Sequence, residues 1–127
     1  MSNVPLYYNE DKSEFAVLIS GGFGAGWSTW EYSELAYDAR IVEFWLAHKD
    51  NIEWMKTINN FGTMSDAYKE ACQFFKSIGY EECPYMGGFA DIHLEWVPVG
   101  VGFHIDEYDG AESLTLQSDS DYWTVLN

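Results

Sequence analysis

The sequence predicts an α+β domain with an N-terminal strand pair, central helices and a C-terminal antiparallel sheet of about four strands. Three observations carry that prediction. Short apolar or alternating blocks lie at both ends of the chain, and helical periodicity is confined to its middle. The third is Asp109-Gly110, a two-residue hairpin signal between two alternating segments. With 127 residues, no repeat and no linker, the chain reads as a single domain spanning 1–127.

Taken in order, residues 4–8 (VPLYY) and 14–20 (EFAVLIS) read as strands joined by the polar turn NEDKS. GGFGAG at 21–26 breaks the pattern as a glycine loop. Ser28 and Glu31 stand at capping-box spacing, which starts a short helix. Asp38 is an N-cap for 39–49, where Val42, Trp45 and Leu46 share a face, and 51–58 extends the helical region. The clearest helix is 66–78, capped by Ser65 and ended by Gly79. Its stripe is Met64, Ala67, Tyr68, Ala71, Cys72, Phe75 and Ile78; Asp66, Lys69, Glu70, Gln73 and Lys76 cover the other side. After the loop YEECPYMGG come four strands: ADIHLEWV, FHIDEY, AESLTLQ and YWTVL.

Composition narrows the function classes. Aromatics make up 18% and hydrophobic residues 47%, which excludes intrinsic disorder in spite of a net charge of -15. A core this small does not hide 23 aromatic rings, so some belong to a binding surface, a homodimer interface among the possibilities. The acidity excludes nucleic-acid binding by phosphate neutralisation and docking on an anionic membrane. No apolar run is long enough to span a bilayer, and the first residues lack the basic and apolar regions of a signal peptide. Cys72 and Cys83 are not in a CxxC pair and read as two reduced thiols of a cytoplasmic protein rather than a disulfide. All six basic residues lie in the first 76 positions, which carry a net of -5; the remaining 51 carry -10 with no Lys or Arg. That second stretch has the aromatic and β-branched content of a folded segment, so it folds with an uncompensated negative face.

Four constellations bear on chemistry. A strand, a glycine turn and a helix start is phosphate-cradling order, but Gly22, Gly24 and Gly26 do not form GxGxxG and no Lys-Ser/Thr follows. The loop is either a tight turn or a seat for a small anionic ligand, with Trp27, Trp30 and Tyr37 available for stacking. Asp91-Ile-His93 mirrors His104-Ile-Asp106, and if their strands are neighbours His93, Glu95 and His104 share a face as metal ligands or an acid–base pair; no ligand-spacing motif supports this. Cys72 lies on an apolar stripe, and Cys83 has Glu81 and Glu82 beside it, so neither is an activated nucleophile. The sequence therefore indicates no catalytic residue, metal or cofactor. The fourth constellation is the cluster Asp106, Glu107, Asp109 and Glu112 around the hairpin tip, with Tyr108 and Trp123 beside it. Asp91 and Glu95 extend it into a candidate partner-facing surface.

Four strings, GFGAGWSTW (22–30), LAYDARIVEFW (35–45), EWVPVG (95–100) and EYDGAES (107–113), together resemble small acidic proteins of bacteriophages and prophages over nearly the whole chain. In size, charge and aromatic content the chain is also similar to phage counter-defence inhibitors, including DNA-mimicking anti-restriction proteins, anti-CRISPR proteins and uracil-DNA glycosylase inhibitors. The resemblance carries over no functional residue. It implies a non-enzymatic inhibitor in the host bacterial cytoplasm, whose acidic surface occupies the basic nucleic-acid site of a host defence protein. The alternative is a module that sequesters a nucleotide on the GGFGAG loop; a third reading is a small metal-dependent enzyme.

Overall fold

The computed structural model describes residues 4–22, 26–58 and 65–116. The fold is α+β. Its elements are strand β1 (Glu14–Ser20), helices α1 (Ala39–His48), α2 (Ile52–Ile58) and α3 (Asp66–Ser77), and strands β2 (Ile92–Pro98), β3 (Phe103–Tyr108) and β4 (Ala111–Leu116).

β1 organises the rest. Its residues Phe15 to Ser20 are all buried, as befits the uninterrupted apolar run FAVLI. Side chains alternate across a strand, so Ala16 and Leu18 enter one core while Phe15, Val17 and Ile19 enter a second. The first core holds the helices, with Trp27, Phe75 and Phe89 among its fully buried side chains. The second is closed by Tyr37, Val97 and Phe103. The result is three layers: helices, the β1–β2 pair, and the β3–β4 hairpin.

The pairing differs from expectation in one respect. The C-terminal sheet has two strands, β3 and β4, because β2 pairs antiparallel with β1, from Glu14↔Pro98 to Ser20↔Ile92. Two-sided burial of β1 demands a long partner, and β2 supplies it. The expected fourth strand, 122–126, lies outside the described residues. N-terminal antiparallel pairing is present but short: Tyr8 bridges to Phe15, and Ala16 N donates to Tyr7 O at 2.8 Å.

Helix termini follow their sequence signals. Asp38 caps α1, accepting from Arg40 N at 3.0 Å, and Ser65 caps α3, accepting from Tyr68 N at 3.1 Å. Asp38 is fully buried, and Arg40 neutralises it with a two-pronged contact: Nε to Oδ1 at 3.0 Å and Nη2 to Oδ2 at 2.7 Å. That hydrogen bonding raises the Arg40 pKa above its ordinary value. Ser28 and Glu31 do not make a capping box. Ser28–Trp30 and Ser33–Ala36 are short 3₁₀ turns, and Glu31 instead accepts Tyr85 N at 2.7 Å.

The cysteines are a correction. Cys72 and Cys83 form a disulfide, with Cα atoms 4.9 Å apart. Composition argued for two thiols through redox compartment alone and contained no geometry. Gly79, at φ 109°, turns the chain back so that Cys83 lies alongside α3. No described helix is long and apolar enough to cross a membrane.

Candidate functional site

The β3–β4 hairpin turns on Asp109 (φ 55°) and Gly110 (φ 89°), the two positive values that a two-residue primed turn requires. Glu107 Oε2 accepts Gly110 N at 2.6 Å and fixes the turn from within. Cross-strand register then sorts the side chains. Phe103, Ile105 and Glu107 face Leu116, Leu114 and Glu112 on one side; His104, Asp106 and Tyr108 face Thr115, Ser113 and Ala111 on the other.

The acidic cluster is therefore not one surface. Asp106, Asp109 and Tyr108 are exposed, Tyr108 at 77%. Asp106 sits 3.0 Å from His104 Nε2, and Thr115 Oγ1 donates to it at 3.4 Å. Glu107 is spent on the turn. Glu112, expected to face a partner, is buried at 5% exposure and turned inward. Its Oε1 accepts Ser20 N at 3.0 Å; its Oε2 accepts Trp27 N at 2.9 Å, Thr29 N at 3.1 Å and Thr29 Oγ1 at 2.6 Å. Four donors around one buried carboxylate satisfy the burial rule for charge. Strand parity could have identified this residue, since Glu112 shares its side of β4 with the core-packing Leu114.

An anion is held by the residues flanking the glycine loop, Ser20 before it and Trp27 and Thr29 after it, and that anion is Glu112. Gly21 N donates to Asp91 O at 3.4 Å and Gly26 N to Gly110 O at 2.7 Å, while the Trp27 and Thr29 amides go to the Glu112 carboxylate. The Gly21 and Gly26 amides, expected to be open to an external phosphate, are already paired. A Cβ at Gly22 would meet Asp91 Oδ2 at 2.7 Å and displace that exposed carboxylate; Gly26 (φ 27°) is required because a Cβ would run into the Trp30 ring. Gly24 and Trp123 lie outside the described residues.

The stacking residues also part company. Trp27 is fully buried against Phe75 and Phe89, with Nε1 donating to Leu35 O at 3.1 Å, so it does not stack on a ligand. Tyr37 is buried in the second core. Trp30 remains exposed, its ring centroid 5.1 Å from that of Tyr85, and Tyr32 lies 5.9 Å from Tyr80. Tyr80 itself has its pKa pushed up, chiefly by burial and then by Asp38 and Glu34.

The two Asp/His patterns stay apart because β2 belongs to one sheet and β3 to the other. His93 Nε2 pairs with Glu95 at 2.6 Å on its own strand, as His104 does with Asp106. Among the described residues no group of three or more His, Cys, Asp or Glu is placed to hold a metal. Asp91 and Glu95 are likewise not on the hairpin: Asp91 packs over Gly22, and Glu95 holds His93.

Comparison with protein-family models, curated proteins and solved structures found no match to this chain.

Proposed function

We propose that the chain is an interaction protein, a phage counter-defence inhibitor that occupies the basic nucleic-acid site of a host defence enzyme with its acidic hairpin. The observation that carries this reading is Tyr108, exposed between Asp106 and Asp109 at the tip of a hairpin whose other face is locked to the body through Glu112. An aromatic anchor rimmed by carboxylates on a rigid support is the composition of an interface hot spot for a cationic partner. From residue 77 onward the sequence has no Lys or Arg to neutralise that field. The carboxylates stand in for phosphates and pair with Lys and Arg, while Tyr108 supplies buried contact area. The partner set is Asp106, Asp109 and Tyr108, with Glu107 behind the turn.

Such an inhibitor acts in the host cytoplasm. The Cys72–Cys83 bond weighs on the other side, because cytosolic thiols are held reduced. Alkylation of the protein on extraction, followed by mass measurement, decides between the compartments.

The test is capture of a nucleic-acid enzyme from host lysate on the purified protein, with competition by duplex DNA and by salt at about 0.5 M, where exposed charges are screened. The expected result is a stoichiometric partner released by both competitors and lost with Asp106→Lys/Asp109→Lys. Undiminished capture by a folded double variant overturns the assignment.

A further inference from the structure

A cavity of about 180 Å³ lies between the two 3₁₀ turns and β3. It is separate from the hairpin tip. Its apolar lining is Ile105 with Phe103 and Tyr37, two buried rings set edge to face at 6.4 Å. Its polar lining includes Ser28, and Ser28 is unusual. The residue is 5% exposed, yet its hydroxyl makes no hydrogen bond with any described residue. The neighbouring hydroxyls are satisfied: Ser20 Oγ donates to Gly88 O at 2.9 Å and Thr29 Oγ1 to Glu112 at 2.6 Å. A buried hydroxyl with no partner among the described residues carries a desolvation cost, which a hydrogen-bonding occupant removes.

The lining also selects the occupant's charge. No Lys or Arg lines the cavity, and the one imidazole that does, His104, has its Nε2 3.0 Å from Asp106 Oδ1, so an anion finds no free countercharge in a chain at -15. No Asp or Glu lines it either, so a cation finds no carboxylate partner. The volume is below the roughly 300–1,000 Å³ of sites for drug-sized ligands, which suits one ring rather than a nucleotide.

We infer that this cavity is a binding site for a small neutral heterocycle, its ring against Phe103 and Tyr37 and its polar edge hydrogen-bonded to Ser28. The site lies at the base of the hairpin, where β3 begins, and away from its acidic tip.

Titration of ¹⁵N-labelled protein with 2-pyridone tests this, with benzene as an apolar control and picolinate as an anionic one. Saturable shifts are expected for the amides of Ser28, Thr29, Tyr37 and Phe103 with 2-pyridone, and weaker effects with both controls. Ser28→Ala lowers the affinity about fivefold, the value of one lost hydrogen bond. Ser33→Trp, on the exposed rim, blocks binding with the rest of the spectrum unchanged, and decides the matter if Ser28→Ala does not fold. Three results overturn the inference: no saturable shift, which leaves a cavity filled by water; equal affinity for benzene; or a Ser28→Ala protein that binds 2-pyridone as the parent does.

Discussion

Glu112 Oε2 accepts the backbone N–H of Trp27 at 2.9 Å, joining the last described strand to the turn after the glycine loop across 85 positions of sequence. The same carboxylate reaches Ser20 at the end of β1, so one side chain fastens the hairpin to the central strand and to the first 3₁₀ turn.

Removing that carboxylate is expected to cost more than any other single change to the hairpin. Glu112→Ala leaves buried donors unpaired and is expected to destabilise by about 3 kcal/mol. Glu112→Gln keeps one accepting oxygen and is expected to cost less. Urea denaturation of both variants checks the order; equal stability of Glu112→Ala and the parent would sink the anchoring role.

The hairpin tip separates stability from binding. Tyr108→Ala, at an exposed site, is expected to leave stability within about 0.5 kcal/mol. Gly110→Ala forces a Cβ into a positive-φ turn and is expected to cost about 1 kcal/mol. Thermal melts of the pair distinguish the two; the reverse order would mean that Tyr108 is packed.

The disulfide closes a segment with a sequence separation of 11. By the chain-entropy model, opening it should cost about 3 kcal/mol. A Cys72→Ser/Cys83→Ser protein should therefore unfold at clearly lower urea, and the untreated parent should yield no free thiol with a thiol reagent.

Tyr80 sets an alkaline limit. Its pKa in the folded protein is raised above the ordinary 10.0, principally by burial, so the folded state holds the phenolic proton more tightly than the unfolded chain. The contribution is fully present below pH 10 and lost as pH rises above it. Tyr80→Phe should flatten the decline of stability between pH 10 and pH 11.5 relative to the parent; superimposable curves would refute the assignment.

Much of the fold was legible because local signals were strong. Ser65, Gly79 and the stripe around Ala71 and Phe75 wrote α3, and Asp109-Gly110 wrote the hairpin. What the sequence withheld was long-range. Nothing in ADIHLEWV says that it pairs with EFAVLIS rather than with its neighbour in sequence, and the His93/His104 pairing failed on that point. The disulfide was withheld likewise, because it depends on how Gly79 redirects the chain. At the candidate site, proximity in sequence grouped Glu112 with Asp106 and Asp109, whereas the two-residue period of β4 turns it to the opposite side. The glycine loop was read as either a tight turn or a seat for an anion; Gly21 and Gly26 give their amides to backbone carbonyls, and the carboxylate held beside the loop, on Trp27, comes from 85 positions away.

The pairing of β1 with β2 has a consequence for synthesis. Phe15 meets Val97, so about 80 residues must follow the apolar run FAVLI before its permanent partner exists. At typical elongation rates that is a wait of about 4–16 s, during which an apolar run buried on both faces in the folded protein is already made. The short antiparallel contact with Tyr7 and Tyr8 is local in sequence and does not depend on that wait. A strand at the centre of the fold is thus among the last to be completed.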